Sequence, residues 1–230
     1  MNQETIVRLA DVNKIYRQGE LQVKAVDNLS LELHRGEFTA LSGPSGSGKT
    51  TILNIIGGLD VPTSGTVELE GRNLAELSRA DLSKIRRDRI GFIFQSYNLI
   101  PVMTAYENTE FVLSMQGVPK EQRRDRVMAV LKSVGLEGLE HRRPDEMSGG
   151  QQQRVAISRA IVTRPAIVLA DEPTANVDSH TAESLLDAMH KLNEEQGITF
   201  LFSTHDVRVM DRARRLIRLL DGHLDEDERR

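Results

Sequence analysis

The chain contains no cysteine and no tryptophan, and its aromatic residues make up only 4% of 230 residues. The lack of cysteine excludes disulfides, cysteine-ligated zinc sites and catalysis by a thiol. It is also in keeping with a reducing compartment. Because aromatic residues are few, we expect a core built mainly from isoleucine, leucine and valine.

Long apolar runs and excess positive charge are missing too. No apolar run exceeds about five residues, whereas a membrane-spanning helix needs about 18. The first residues carry an early acid, Glu4, and no apolar segment, so they do not resemble a signal peptide. The net charge of −4 argues against general nucleic-acid binding by bulk electrostatics. The sequence therefore predicts a globular protein that would serve a membrane only through a partner.

The most informative stretch is residues 43–50, which fit the phosphate-binding pattern Gly-x-x-x-x-Gly-Lys-Ser/Thr. A strand-like run, 38–41, leads into it and a helical pattern, 50–56, leads out. In that setting the loop N–H groups and the helix N-terminus can bind phosphate oxygens, and a lysine and a hydroxyl can meet the β/γ phosphates and Mg²⁺. The residues expected to bind the nucleotide are Gly43, Pro44, Ser45, Gly46, Ser47, Gly48, Lys49, Thr50 and Thr51. The alternative is a glycine-rich turn that binds nothing.

A second nucleotide element is residues 167–172, four apolar residues followed by Asp171 and Glu172. The pattern predicts a buried strand with both carboxylates at its C-terminal end, where open α/β sheets bind ligands. In phosphate-loop ATPases the first acid completes the Mg²⁺ site, so we expect Asp171 to hold the metal together with Thr50. Glu172 would polarise the attacking water. Two acids that merely end a strand in water are the alternative.

A third element runs from Met147 to Arg154, Met-Ser-Gly-Gly-Gln-Gln-Gln-Arg. It predicts a helix start capped by Ser148, with free N–H groups facing an anion. This stretch resembles the signature motif of ATP-binding-cassette (ABC) ATPases, usually written Leu-Ser-Gly-Gly-Gln. The departure is Met147 for leucine, an apolar substitution of similar volume. The resemblance implies that ATP is contacted by Ser148, Gly149, Gly150 and Gln151.

Further roles follow from the resemblance, one position at a time. Tyr16 resembles the aromatic residue that stacks on adenine, although a tyrosine packed on the core is the alternative. Gln95 resembles the glutamine that senses Mg²⁺ and contacts the membrane subunit. His205 resembles the switch histidine that touches the γ-phosphate, and Asp178 resembles an aspartate of the dimer contact. The implied catalytic residues are Glu172, His205 and Gln95, and the implied metal-site residues are Thr50, Gln95 and Asp171.

The resemblance also implies a branch and a partner. Residues 55–60, 85–95 and 98–101 look like the lipoprotein-release and macrolide-exporter branch of ABC ATPases. Members of that branch serve an integral membrane subunit with few spans at the cytoplasmic face of the cell membrane. Two copies are expected to close head to tail around two ATP, each lying between Lys49 of one copy and Ser148 of the other. The expected activity is ATP hydrolysis with Mg²⁺, coupled to export or to mechanical work.

The expected fold is α/β, a phosphate-loop ATPase core with a mostly parallel sheet. An N-terminal antiparallel β subdomain and an inserted α-helical subdomain complete it. We expect one domain over residues 1–230, in which 1–95 and 160–230 form the core and about 96–159 the helical part. Continuous apolar runs at 166–170 and 198–202 predict parallel strands joined by a helix over 178–196. The pattern predicts a last strand at 216–220, followed by a charged tail.

Other functions are weighed against this one. A cell-division ABC ATPase acting on a few-span partner is a close rival. A soluble ABC ATPase of DNA repair carries long coiled coils, for which no heptads are sustained here. Translation-associated ABC proteins usually carry two cassettes, and a catalytically dead module would not keep Lys49 and Glu172. Basic clusters such as 86–89 and 123–126 are interleaved with acids, which favours a solvated face over nucleic-acid binding.

Overall fold

The computed structural model describes residues 4–19 and 21–230. Of the turn predicted at residues 19–20, residue 20 lies outside the described residues. The strands are β1 (Thr5–Gln18), β2 (Leu21–His34), β3 (Phe38–Ser42), β4 (Ser64–Leu69), β5 (Arg72–Asn73), β6 (Ile90–Ile93), β7 (Ile167–Asp171), β8 (Phe200–Ser203), β9 (Arg215–Leu220) and β10 (His223–Arg229). The α-helices are α1 (Lys49–Ile56), α2 (Arg79–Arg89), α3 (Ala105–Met115), α4 (Lys120–Ser133), α5 (Gly149–Ile161), α6 (Ser179–Gln196) and α7 (Val207–Arg212).

The N-terminal part forms an antiparallel sheet in the order β2-β1-β4-β5. In β2, Leu29, Leu31 and Leu33 are buried and alternate with more exposed residues, as a sheet with one covered face requires. The two short strands expected at 22–26 and 29–33 are one continuous strand. They are joined through Asn28, which has a φ of 47° beside shifts in the β1–β2 register.

The second sheet has six strands in the order β10-β9-β3-β8-β7-β6. Strands β9, β3, β8, β7 and β6 run parallel, and only β10 is antiparallel. Alternate residues of its central strands enter two different apolar clusters. Leu169 and Leu201 pack with helix α1 and the antiparallel sheet, whereas Val168 and Phe200 pack with helices α5 and α6. Both faces are therefore covered, which explains why these strands are continuously apolar.

Between β6 and β7 the chain is helical, as predicted. Helix α3 begins at a capping box in which the Thr104 hydroxyl accepts from the Glu107 N–H and the Glu107 carboxylate accepts from the Thr104 N–H. Val127 and Leu131 of α4 point into the cluster around α5. We propose the division into a core and a helical part at about residues 96–159 on this basis.

The end of the chain differs from the prediction. The expected charged tail is strand β10, which pairs with β9, so β9 is not the last strand. Cross-strand ion pairs replace apolar alternation there, because Arg215 bonds to Asp227 and Arg218 to Glu226. The short helix α7 was also not predicted. In the described part of the chain, no helix is both long and apolar enough to cross a membrane.

Candidate functional site: a phosphate cavity beside a separate glycine-rich helix start

The phosphate loop joins β3 to α1 and closes around the Lys49 side chain. Gly48 has a φ of 97°, and a Cβ there would lie 2.3 Å from the Ala25 carbonyl oxygen. Only glycine fits this close approach. The Lys49 ammonium donates to the carbonyl oxygens of Gly43, at 2.7 Å, and Pro44, at 2.9 Å. The loop therefore holds a cation at its mouth, at the N-terminus of helix α1, where phosphate is favoured.

Thr50 and Asp171 meet although they are far apart in the sequence. The Thr50 Oγ1 lies 3.2 Å from both carboxylate oxygens of Asp171. Asp171 ends strand β7, and its neighbour β8 lies between β7 and the loop-bearing strand β3. A hydroxyl and a carboxylate are the oxygen donors that Mg²⁺ prefers. The predicted metal residues Thr50 and Asp171 are therefore in contact, and they fit the ion.

Glu172 is held by the ends of two strands. Its N–H donates to the Ser203 carbonyl at 2.9 Å, and its φ of 46° is unusual for a residue with a side chain. One carboxylate oxygen lies 2.6 Å from the His205 Nδ1, and the other accepts from the Thr204 hydroxyl at 3.3 Å. An ionised Glu172 needs a donor, so the proton of His205 belongs on Nδ1. Two residues predicted separately thus form one pair.

Lys49, Thr50, Glu172 and His205 line a single cavity of about 670 Å³. Asp171 contacts the lining residue Thr50 but is not itself part of the lining. Gln95, which follows strand β6, also lines the cavity, so all three predicted catalytic residues face the same space. The cavity is lined by Ala25, Gly43, Pro44, Ser45, Gly46, Gly48, Lys49, Thr50, Thr51, Gln95, Glu172, Ser203 and His205. Among the described residues, no group of three His, Cys, Asp or Glu side chains could hold a metal ion alone.

The start of helix α5 is a second glycine-rich helix N-terminus, and it does not line this cavity. The Ser148 hydroxyl accepts from the Gln151 N–H, and the Gln151 side chain accepts from the Ser148 N–H. The first N–H groups of a helix have no partner within it, so those of Gly149 and Gly150 can bind an anion. A Cβ at Gly150 would lie 2.3 Å from Thr181 Cγ2, so this helix start is closely packed.

Comparison with known proteins identifies the combination. The family model of ABC transporters matches residues 26–175. The chain belongs to the ABC transporter ATPase family. It is 45% identical to the uncharacterized ABC transporter ATP-binding protein MJ0796 of Methanocaldococcus jannaschii, over 97% of both chains. An uncharacterized ABC transporter ATP-binding protein of Thermotoga maritima is 44% identical over 98% of this chain and 96% of its own.

Solved structures and longer relatives agree with this. A dimeric structure of the ATP-binding cassette MJ0796 in a post-hydrolysis state, bound to ADP and Pi, matches with a TM-score of 0.89. It covers 97% of this chain and 98% of that one. The macrolide export ATP-binding/permease protein MacB of Bdellovibrio bacteriovorus is 43% identical over 97% of this chain but only 34% of its own length. As an ABC ATPase, the chain binds and hydrolyses ATP with Mg²⁺.

Tyr16 does not line the cavity but lies beside one of its lining residues, Thr51. The Tyr16 hydroxyl donates to Asp60 at 2.7 Å, and the Lys14 ammonium lies 4.8 Å from the ring centroid. Burial raises the pKa of Tyr16, with a further contribution from Asp60, while the nearby Thr51 hydroxyl opposes the shift. The ring is 40% exposed and stands beside helix α1. Its predicted adenine contact remains a prediction.

Sequence reasoning missed several residues that support this ABC site. Asp206 caps α7 and accepts from the Thr174 hydroxyl at 2.8 Å, and the Arg208 guanidinium lowers the pKa of its carboxyl. Its place directly after His205 is a signal that could have found it.

Asp178, which was predicted to contact the second copy, caps α6 by accepting from the Thr181 N–H and hydroxyl. Its dimer contact remains a prediction. Asn176 bonds to the segment around Gln95, 81 residues away, and no sequence signal indicates that contact.

Proposed function

We propose that the chain drives a membrane ABC complex by closing with a second copy around two ATP molecules and reopening after hydrolysis. The observation that carries the proposal is the single cavity lined by Lys49, Thr50 and the Glu172–His205 pair, with Asp171 in contact with Thr50. These are the groups that bind phosphates, hold a metal and activate water. Phosphoryl transfer needs mainly such positioning and charge stabilisation.

Each side chain of the cavity has a separate role in the proposed reaction. Lys49 leaves the carbonyls of its own loop to bind the β and γ phosphates. Thr50, Gln95 and Asp171 would hold Mg²⁺, which neutralises charge between those phosphates when it is bound. Glu172 accepts a hydrogen bond, and then the proton, from the attacking water. His205 keeps the Glu172 carboxylate in place through Nδ1 and leaves Nε2 for the γ-phosphate.

The start of helix α5 completes the site of the other copy. Its free N–H groups are prepared for an anion, yet it does not line the cavity of its own chain. A two-fold, head-to-tail arrangement would bring Ser148 of each copy to the ATP held by Lys49 of the other. The dimeric structures of the MJ0796 cassette support this arrangement. ATP would then hold the two copies together.

An apolar groove gives the complex a place to meet its membrane subunit. It has a volume of about 410 Å³ and lies between helices α2, α3 and α5 beside strand β6. Phe92 and Phe94 stack in it at 5.7 Å, while Phe111 and Met115 of α3 are 39% and 56% exposed. The Arg86 and Arg87 side chains form a basic rim. We assign the groove to a short, acidic amphipathic helix of a membrane subunit.

The proposed branch and location follow from the relatives. In MacB the part that matches this chain is about a third of an ATP-binding/permease protein. The other MacB relatives, at 40–43% identity, match in the same way. This favours the lipoprotein-release and macrolide-exporter branch over the cell-division branch. The chain would then act at the cytoplasmic face of the cell membrane and drive export or mechanical work.

Glu172→Gln tests the proposal, because it keeps the size of the side chain and its reach to His205 but removes the base. The variant should bind MgATP, lose hydrolysis by about a hundredfold or more and accumulate as a dimer in gel filtration. Glu137→Gln, a change at an exposed ion pair with Lys132, is the matched control and should behave like the wild type. A Glu172→Gln chain that binds ATP yet stays monomeric at high concentration would contradict the head-to-tail closure.

A further inference from the structure

Asn176 holds the Gln95–Tyr97 segment at two points. Its side-chain Nδ2 donates to the Gln95 carbonyl oxygen at 2.9 Å. Its own carbonyl oxygen accepts from the Tyr97 hydroxyl at 3.1 Å. Asn176 lies four residues after Glu172, in the loop between strand β7 and helix α6. Asn176 therefore holds both ends of the tripeptide 95–97, whose first residue, Gln95, lines the cavity.

Helix α5 also holds this segment, through hydrogen bonds from Arg159. The Arg159 guanidinium donates to the carbonyl oxygens of Asn98, at 2.6 Å, and Tyr97, at 2.9 Å. Arg159 is sufficiently enclosed that burial lowers its pKa. A Cβ at Gly149 would lie 2.8 Å from the Tyr97 hydroxyl oxygen. The first turn of α5 thus packs directly on the Asn176–Tyr97 hydrogen bond.

The held segment has an unusual backbone. Tyr97 and Asn98 have φ angles of 59° and 50°, in the left-handed region that residues with side chains rarely adopt. Such a conformation persists only where its surroundings fix it. The surroundings here are the contacts from Asn176 and Arg159, so losing one of them loosens the connection from strand β6 through Gln95.

We propose that Asn176 is a positioning residue that sets Gln95 at the metal site and links it to the start of helix α5. The inference rests on the metal role of Gln95 under the proposed function. The amide of Asn176 acts through the Gln95 main chain, and Asn176 is not itself a residue of the cavity lining. Movement of Gln95 on loss of the metal or the γ-phosphate would therefore be passed to Gly149 through Asn176 and Tyr97.

The test uses Asn176→Ala and Asn176→Asp in the isolated chain, with AMPPNP as the nucleotide and Mg²⁺ varied. Alanine removes one hydrogen bond, so the Mg²⁺ concentration for half-maximal AMPPNP affinity should rise about fivefold. Aspartate keeps the shape but turns a carboxylate oxygen toward the Gln95 carbonyl oxygen, so its shift should be larger than that of alanine. If the side chain only filled space, aspartate would instead be the milder change, and that order would overturn the proposal.

Matched variants separate positioning from folding and from the proposed function. Asn73→Ala, which removes a hydrogen-bonded asparagine at the end of strand β5, should leave the Mg²⁺ dependence unchanged. Tyr97→Phe, which removes the second hydrogen bond alone, should shift it in the same direction. In EDTA all variants should bind AMPPNP like the wild type. If Gln95→Ala shifts the Mg²⁺ dependence and the Asn176 variants do not, the inference fails alone. If Gln95→Ala has no effect on the Mg²⁺ dependence, both the metal role of Gln95 and the inference are wrong.

Discussion

The phosphate loop and the start of helix α5 are both glycine-rich helix N-termini, but they have different surroundings. Around the loop, one cavity is lined by the Lys49 cation, the Thr50 hydroxyl, which contacts Asp171, and the Glu172–His205 pair. At the start of α5 the cap is complete, and the glycines contact Tyr97 and Thr181 of the same chain. The N–H groups of that second terminus can bind an anion, but this terminus does not line the cavity around the phosphate loop.

The difference indicates that nucleotide binding and closure of the dimer depend on different helix N-termini. Everything needed to hold the phosphates lies in one chain, so nucleotide binding should not need a partner. Under the proposed function, the start of helix α5 contributes to the nucleotide held by the other copy, so turnover should need two copies. Variants at the two termini should therefore fail at different steps.

Lys49→Ala should have the largest effect, because it removes the cation at the loop mouth. We expect nucleotide affinity and ATP turnover to fall by about a hundredfold or more. Equilibrium binding of a fluorescent nucleotide and a phosphate-release assay measure the two quantities. Lys132→Ala, at an exposed ion pair, is the matched control. Normal turnover in Lys49→Ala would contradict the assignment of the cavity.

Ser148→Arg should have the next largest effect, and only at the second step. The arginine would occupy the place of the partner's γ-phosphate, so turnover should fall by about tenfold or more while each chain still binds ATP. Ser133→Arg, at the exposed end of helix α4, should leave turnover unchanged.

Mixing the two damaged chains sharpens the comparison. A heterodimer of Lys49→Ala and Ser148→Arg chains has one site damaged twice and one site with intact Lys49 and Ser148. If the signature acts across the dimer, the mixture should regain activity that neither chain has alone. Should the mixture remain as inactive as its components while heterodimers form, the two termini do not meet across the interface.

Local patterns predicted much of the fold and of the cavity. The phosphate loop, residues 43–50, and the Asp171–Glu172 pair are each continuous stretches of sequence. A strand before the loop and a helix after it were enough to predict that its N–H groups can bind phosphate. The pairing of Glu172 with His205 was also within reach, since both follow apolar strands that were expected to be neighbours. Contacts of this kind depend on sheet order, which the crossover rule restricts.

The remainder depends on contacts that no local pattern contains. Strand β10 has no apolar alternation; it pairs with β9, whose Arg215 and Arg218 form ion pairs with its acids. The contact between Asn176 and Gln95 joins two loops that are 81 residues apart. From the sequence, the apolar residues of the loop 95–103 were expected to dock the membrane subunit, but Leu99 of that loop packs against the core. The exposed Phe111 and Met115 of the groove lie on α3.

The groove of Phe92, Phe94, Phe111 and Met115 should give the smallest effect on the isolated chain and the largest on the complex. Met115→Asp places a charge on an exposed apolar wall, and it should leave ATP turnover of the isolated chain within about twofold. It should prevent co-purification with the membrane subunit, because a desolvated carboxylate would face the docked helix.

Met128→Asp, on the exposed side of α4 and outside the groove, is the matched control. The loop 95–103 is the docking surface that the sequence indicated, and Val102→Asp tests it because Val102 is 74% exposed there. Loss of the complex with Val102→Asp, but not with Met115→Asp, would move the docking surface from the groove to that loop.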